Sequence, residues 1–195
     1  MNRADLKRLA KQNLSGKLGS AILVSLVYYL LVFALGSTFI GSLLFSTLLT
    51  ICIYNVFLKG RSSETYNLND ATEPLNSNIS NRIMVSLMKE IYLFLWSLLF
   101  IIPGLIKSYS YAMTDFLSLK HPEWGHDECI TQSRKIMDGH KFELFVLDLS
   151  FLGWDLLSIL TFGILAIVYV TPYEIATRVE YFNQLYSSNC QEVIQ

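Results

Sequence analysis

Three histidines and four carboxylates crowd into "HPEWGHDECITQSRKIMDGHK" (121–141). His121, His126 and His140 stand among Glu123, Asp127, Glu128 and Asp138. Imidazoles and carboxylates at this density could ligate a metal or exchange protons. Their spacing builds neither site. No two histidines stand four apart with a carboxylate base between them, and no cysteine pair completes a ligand set. Cys52, Cys129 and Cys190 are odd in number and widely spaced, which argues against a disulfide framework or a zinc knuckle. Nucleophile elbows, phosphate-cradling glycine loops and dinucleotide fingerprints are absent too. The expectation is a non-enzymatic protein with no catalytic residues, metal or cofactor.

A second set of ionisable residues lies in apolar surroundings: Lys89, Glu90, Lys107, Asp115, Glu143, Asp148, Asp155, Glu174, Arg178 and Glu180. What surrounds them decides their chemistry. Hydrophobic residues make up 52% of the 195 and charged residues 16%, against about 25% charged in an average soluble domain. From Leu18 to Leu58 there are 41 residues without a charge. As helix that run would be about 60 Å long, twice the hydrocarbon thickness of about 30 Å. It is also too long for the apolar region of a removable signal peptide, which spans roughly 7–15 residues. The net charge of −1 comes with no basic arm of interleaved aromatics, so no nucleic-acid partner is expected.

The resulting expectation is all-α: a polytopic membrane helix bundle of about six spans in three helical hairpins. Residues 1–17 form a basic amphipathic helix, with Leu6, Leu9, Ala10 and Leu14 at helical spacing. Such a helix suits an anionic lipid surface, or serves as a solvated leader that sets topology. The membrane domain is 18–186, with spans at 19–37, 40–58, 83–102, 104–119, 142–160 and 164–182. "GSTFIGS" (36–42), Pro103-Gly104 and "TFG" (161–163) supply the turns, and Pro172 bends the last span. The polar segment 59–82 reads as a mobile loop. In the loop 120–141, Asp127 caps a short helix that ends at Gly139. Residues 187–195 are a tail. With both termini cytoplasmic, 1–17, 59–82 and 120–141 hold twelve of the fifteen Lys and Arg residues, and the outer turns hold none. That asymmetry obeys the positive-inside rule and favours six spans over four.

Charges at membrane depth must find partners. Glu143 and Glu180 lie near span ends and reach headgroups. Lys89, Glu90, Asp115, Asp148, Glu174 and Arg178 form a candidate intramembrane polar network, with Asp148 offered to Lys89 as a test pair. Glu174 and Arg178 are an i,i+4 pair in the favourable order. Lys107 and Asp155 form a candidate outer pair. Arg134, Lys135, His140 and Lys141 are the cytoplasmic interfacial collar of the fifth span. The network reads as satisfied interhelical pairs, or alternatively as a polar cavity opening to the cytoplasm.

"LWSLLFIIPGLIKSYSYAM" (95–113), "SRKIMDGHKFELFVLDLSFLGW" (133–154) and "LTFGILAIVYVTPY" (160–173) resemble the bacterial membrane proteins grouped as domain of unknown function 975. The opening "LKRLAKQNLSGKLGSA" (6–21) is similar to that family's start, while Asp155 departs from its apolar or aromatic pattern. The resemblance implies a multi-pass protein of the bacterial plasma membrane and carries no activity with it. The function expected is a non-enzymatic module that binds membrane lipid, a peptide or a partner protein. The alternative is a small transporter or permease component.

Overall fold

The structure is a computed structural model. It describes residues 3–35, 39–76, 79–99, 101–161 and 163–193, with side chains described except at 33–35, 39–47, 98–99, 101 and 190–193. Every regular element among them is helical. The helices are α1 (Arg3–Leu14), α2 (Leu18–Leu35), α3 (Phe39–Gly60), α4 (Asn69–Asn76), α5 (Ile79–Leu99), α6 (Ile101–Ser110), α7 (Thr114–Lys120), α8 (His126–Ile136), α9 (Lys141–Leu149), α10 (Leu152–Leu160) and α11 (Thr171–Val193). The expected first turn falls partly on 36–38, and Phe162 of "TFG" and the Cys190 side chain also lie outside the described residues. Among the described residues no single helix is long and apolar enough to cross a membrane; α1 and α2 together have the length but meet at 97°.

Three packed groups carry the apolar sequence: α2 with α3, α5 with α6 and α7, and α10 with the segment 166–170 that leads into α11, while α9 packs on α6. The breaks depart from expectation for local reasons. Pro103 and Gly104 do not make the second turn. They lie in the first turn of α6, where a proline's missing N–H removes no helical hydrogen bond. Gly104 serves packing instead. A Cβ there would stand 2.9 Å from the Ser97 Cα, so α5 and α6 touch backbone to backbone. Gly104→Ala should therefore lower stability by about 1–3 kcal/mol, read as a drop in thermal midpoint in detergent. An unchanged midpoint would mean that the contact is loose. The fourth predicted span is two helices, α6 and α7, and the fifth is two, α9 and α10, divided at Ser150–Phe151. Before Pro172 the backbone takes one π-helical turn, Ala166–Val170. Pro172 has no N–H for the Val168 carbonyl, and the wider turn absorbs that loss. α11 then continues into the expected tail as far as Val193.

The buried core lies at the end of the molecule away from the hairpin tips. It joins Leu6, Ala10 and Leu14 of α1 to Val56 and Phe57 of α3, Phe116 and Leu117 of α7, Leu144 and Leu147 of α9, and Val179, Phe182 and Leu185 of α11. Helix α1 thus lies on neither lipid nor solvent with its apolar face. It docks on α11, with the Lys7 ammonium 4.2 Å from the Phe151 ring centroid. The segment 59–82 is tied down as well. Tyr66 is buried against Phe57, Asn55 donates to the Asp70 carbonyl at 2.7 Å, and Lys59 pairs with Glu73. Helix α8 begins two residues earlier than it would with Asp127 as its cap. Gly125 is its N-cap, and Asp127 and Glu128 sit in the first turn, favourable to the helix dipole. Gly139 takes φ +79° after the helix, the left-handed conformation that glycine adopts without strain.

The outer surface of the hairpins contrasts with the core. Ile102 and Phe142 are 73% exposed, and Ile159 and Leu160 about three-quarters exposed. Leu23, Leu26, Leu30, Phe94, Leu95, Leu105, Ile106, Leu156 and Ile164 are exposed too. Apolar surface on this scale is unusual for a monomer in water.

Candidate functional site

The six residues of the expected polar network fall into two ion clusters. Helix α5 presents Ser86, Lys89 and Glu90 on one face at i, i+3 and i+4, and α7 brings Asp115 opposite. Lys89 Nζ lies 2.6 Å from Asp115 Oδ2 and 3.5 Å from Glu90, and Ser86 Oγ donates to Asp115 Oδ1 at 3.3 Å. Helix α11 presents Glu174 and Arg178 one turn apart, and α9 brings Asp148. Arg178 Nη2 lies 3.0 Å from Asp148 and 3.3 Å from Glu174. Asp148 is therefore answered by Arg178 and not by Lys89. Two tyrosines that sequence reasoning missed extend the clusters. Buried Tyr54 of α3 stands near Arg178, Lys89 and Asp115, and Tyr109 of α6 stands near Asp148. Their phenol tips suit a place where apolar packing meets charge, but nothing in their spacing marked them.

Glu180 does not reach a headgroup. It is 2% exposed and accepts from Nε and Nη2 of Arg61, Nη2 donating at 2.9 Å, with Asn13 donating to the same carboxylate. This joint fastens the end of α1, the start of the 59–82 segment and α11. Glu143 receives a hydrogen-bond contact from His140 at 2.9 Å, and the His140 carbonyl accepts from Tyr181. His140 is thus drawn away from the other collar residues.

The outer pair does not form. The Lys107 ammonium lies 4.5 Å from the Trp96 ring centroid, while Asp155 is exposed. Lys107 instead joins the collar. With Ser110, Thr131, Arg134, Lys135, Asp138 and Lys141 it lines a hollow of about 490 Å³. Two features build this concavity. Helix α8 folds back along α7 so that Ser133 Oγ donates to the Ser110 carbonyl at 2.9 Å, and the turn at Gly139 starts α9 beside α6. The hollow carries four cations and one carboxylate. Asp138 is bound to Lys141 at 3.0 Å, and that hydrogen bond holds its carboxyl below its ordinary value.

The 121–141 segment makes no catalytic constellation. His121 contacts Glu123 and the Tyr186 hydroxyl and stacks on Trp124, and His126 pairs with Asp127. Burial pushes the Cys129 thiol up to about 12, so it stays protonated and inert. Among the described residues no three His, Cys, Asp or Glu side chains converge to hold a metal ion.

Residues 98–189 match the family model described as "Protein of unknown function (DUF975)". That stretch holds the whole hollow and the Asp148–Arg178 cluster, and it leaves out Lys89 and Glu90. No curated protein and no solved structure matches the chain. Over residues 98–189, from the end of α5 well into α11 and a little under half of the 195, the chain is similar to the DUF975 family of proteins of unknown function.

Proposed function

We propose that this protein is a lipid-binding module of the bacterial plasma membrane, with its apolar hairpin tips in the bilayer and both termini and the basic hollow on the cytoplasmic side. One observation carries the reading: the belt of exposed apolar side chains on α2, α5, α6, α9 and α10 ends in a row of cations at Lys107, Arg134, Lys135 and Lys141. Apolar surface bounded by Lys and Arg is the pattern that the inner face of an anionic bilayer selects. The transport alternative has less support. The six charges, Asp115 buried and the others part-buried, are paired with one another, whereas a permeation path needs polar groups lining an open cavity.

The hollow refines the topology expected from sequence. Lys107 is six residues into α6, about 9 Å along the helix from Ile101. If its cations meet water at the inner boundary, the second hairpin reaches only that far into a core of about 30 Å. It dips and returns. The first hairpin, with helices of 18 and 22 residues, is read as the deeper one, with neither of its helices alone long and apolar enough to cross among the described residues.

Single cysteines in a variant lacking Cys52, Cys129 and Cys190 test both statements. Alkaline washing of membranes should leave the protein in the pellet. Cysteines at Glu64 and Glu123 should react with an impermeant maleimide only after the cells are opened, and one at Ile102 should resist it from outside. Release by the alkaline wash would overturn the membrane reading. Labelling of Ile102→Cys on intact cells would restore a full crossing for the second hairpin.

A further inference from the structure

We propose that the hollow between α6, α8 and the start of α9 is a binding site for a phosphate group, and that the phosphate belongs to an anionic lipid of the inner leaflet. The inference rests on the membrane reading above and adds to it a site, a headgroup chemistry and the residues that recognise it.

The cations carry the first half of the argument. Folding brings Lys107, Arg134, Lys135 and Lys141 around one concavity, and Lys107 stands in the like-charged field of Arg134 and Lys141. Such crowding is unfavourable unless an anion answers it. The protein supplies little. Among the described residues Lys107, Arg134 and Lys135 have no ion-pair partner, and the one carboxylate on the wall, Asp138, is engaged by Lys141. A guanidinium fork, ammonium groups and the Thr131 hydroxyl are the donors that a phosphate's oxygens accept. The volume of about 490 Å³ leaves room for a headgroup with its waters.

The surroundings carry the second half and select the lipid over a free phosphate. Leu105 and Ile106, immediately before Lys107, are exposed, and so is Phe142, immediately after Lys141. Phe145, one turn further on, is exposed and meets the Tyr109 ring edge-on. A soluble phosphate needs no apolar rim. A lipid does, because its acyl chains leave the headgroup along that same surface.

The test uses the full-length protein in dodecyl maltoside, with native mass spectrometry to count bound lipid and titration in mixed micelles to give affinity. The probes are phosphatidylglycerol, phosphatidylcholine, inorganic phosphate and glycerol 3-phosphate. Phosphatidylglycerol should bind more tightly than phosphatidylcholine. Lys107→Gln, Arg134→Gln and Lys141→Gln should each weaken it roughly tenfold, as expected for a lost charged hydrogen bond. The control Arg3→Gln/Arg8→Gln removes two cations away from the hollow and should leave the affinity unchanged. Lys107→Arg should restore most of what Lys107→Gln loses. Each variant is carried forward only with an unchanged elution volume and thermal midpoint, and Arg134, on an exposed helix face, is the least coupled to folding.

Weakening by the hollow variants with no competition from inorganic phosphate or glycerol 3-phosphate supports the site and its lipid source. Binding of either soluble phosphate, lost in the same variants while phosphatidylglycerol is unaffected, overturns the lipid source. Equal weakening by the control pair, or none by the hollow variants, overturns the site. That last outcome leaves pellet retention and cysteine labelling as they were, so failure of the site and failure of the membrane reading are separate results.

Discussion

Lys89→Met should destabilise the protein by about 3–5 kcal/mol, and adding Asp115→Leu to it should recover most of that loss. Lys89 and Asp115 are 12% and 6% exposed at the side chain and 2.6 Å apart. Removing the ammonium leaves a carboxylate buried with only the Ser86 hydroxyl at 3.3 Å, and an uncompensated buried charge is far costlier than the pair is worth. Removing both charges leaves an apolar contact between α5 and α7 that needs no partner. Thermal midpoints of the two single variants and the double variant, in one detergent, close the cycle. A Lys89→Met protein as stable as wild type would mean that water reaches Asp115. The charge reversal separates two pairings. Lys89→Asp should be rescued by Asp115→Lys and not by Asp148→Lys, because Asp148 already answers Arg178 at 3.0 Å.

That contrast marks how far the sequence could be read. The Glu174–Arg178 pair was legible because both residues ride one helix, and helical spacing alone brings them together. Asp148 was legible as a buried charge, since the apolar run around it leaves no other reading. Its partner was not, because the choice between Lys89 and Arg178 depends on how α5, α9 and α11 cross, and no local rule encodes a crossing. Lys107 was misassigned for a traceable reason. Pro103-Gly104 carries the same residues as a tight turn and as the first turn of a helix. Taking it as the turn set Lys107 toward the outer side. The helix in fact begins at Ile101, and α8 folds back to meet it, a long-range packing event that the 120–141 loop gives no sign of.

Helix α1 shows the same limit from the other side. Its apolar stripe of Leu6, Ala10 and Leu14 was plain, but a stripe states only that something apolar covers it. Lipid and the face of α11 satisfy it equally, and the deciding group was polar: Glu180, on α11, is where Asn13 ends its reach. Buried polar groups discriminate between packings that apolar surface leaves degenerate.

Arg61→Met should therefore have the second large effect, on the same scale of about 3–5 kcal/mol, by leaving the Glu180 carboxylate buried without its guanidinium. Glu180 is 2% exposed at the side chain, and both of its oxygens accept from Arg61. The Asn13 amide then carries the whole carboxylate alone, and one neutral donor cannot replace a bidentate cation. The structural consequence is specific. Arg61 and Asn13 meet only through Glu180, so losing the arginine loosens the docking of α1 before it loosens the hairpins. Limited trypsin digestion reads this directly at Arg3, Lys7, Arg8 and Lys11, whose side chains are largely exposed but whose backbone the docked helix keeps out of the extended form that trypsin cuts. The variant should be cut there faster than wild type, while the core segment Phe116 to Phe182 stays intact. Glu180→Gln should behave more mildly, because an amide oxygen still accepts from Asn13 and no buried charge is left behind. Equal sensitivity of the two variants would point to a general loss of packing and not to the carboxylate. An α1 that resists trypsin in Arg61→Met would show that its leucines alone hold it, with the ion pair serving only to orient the 59–82 segment.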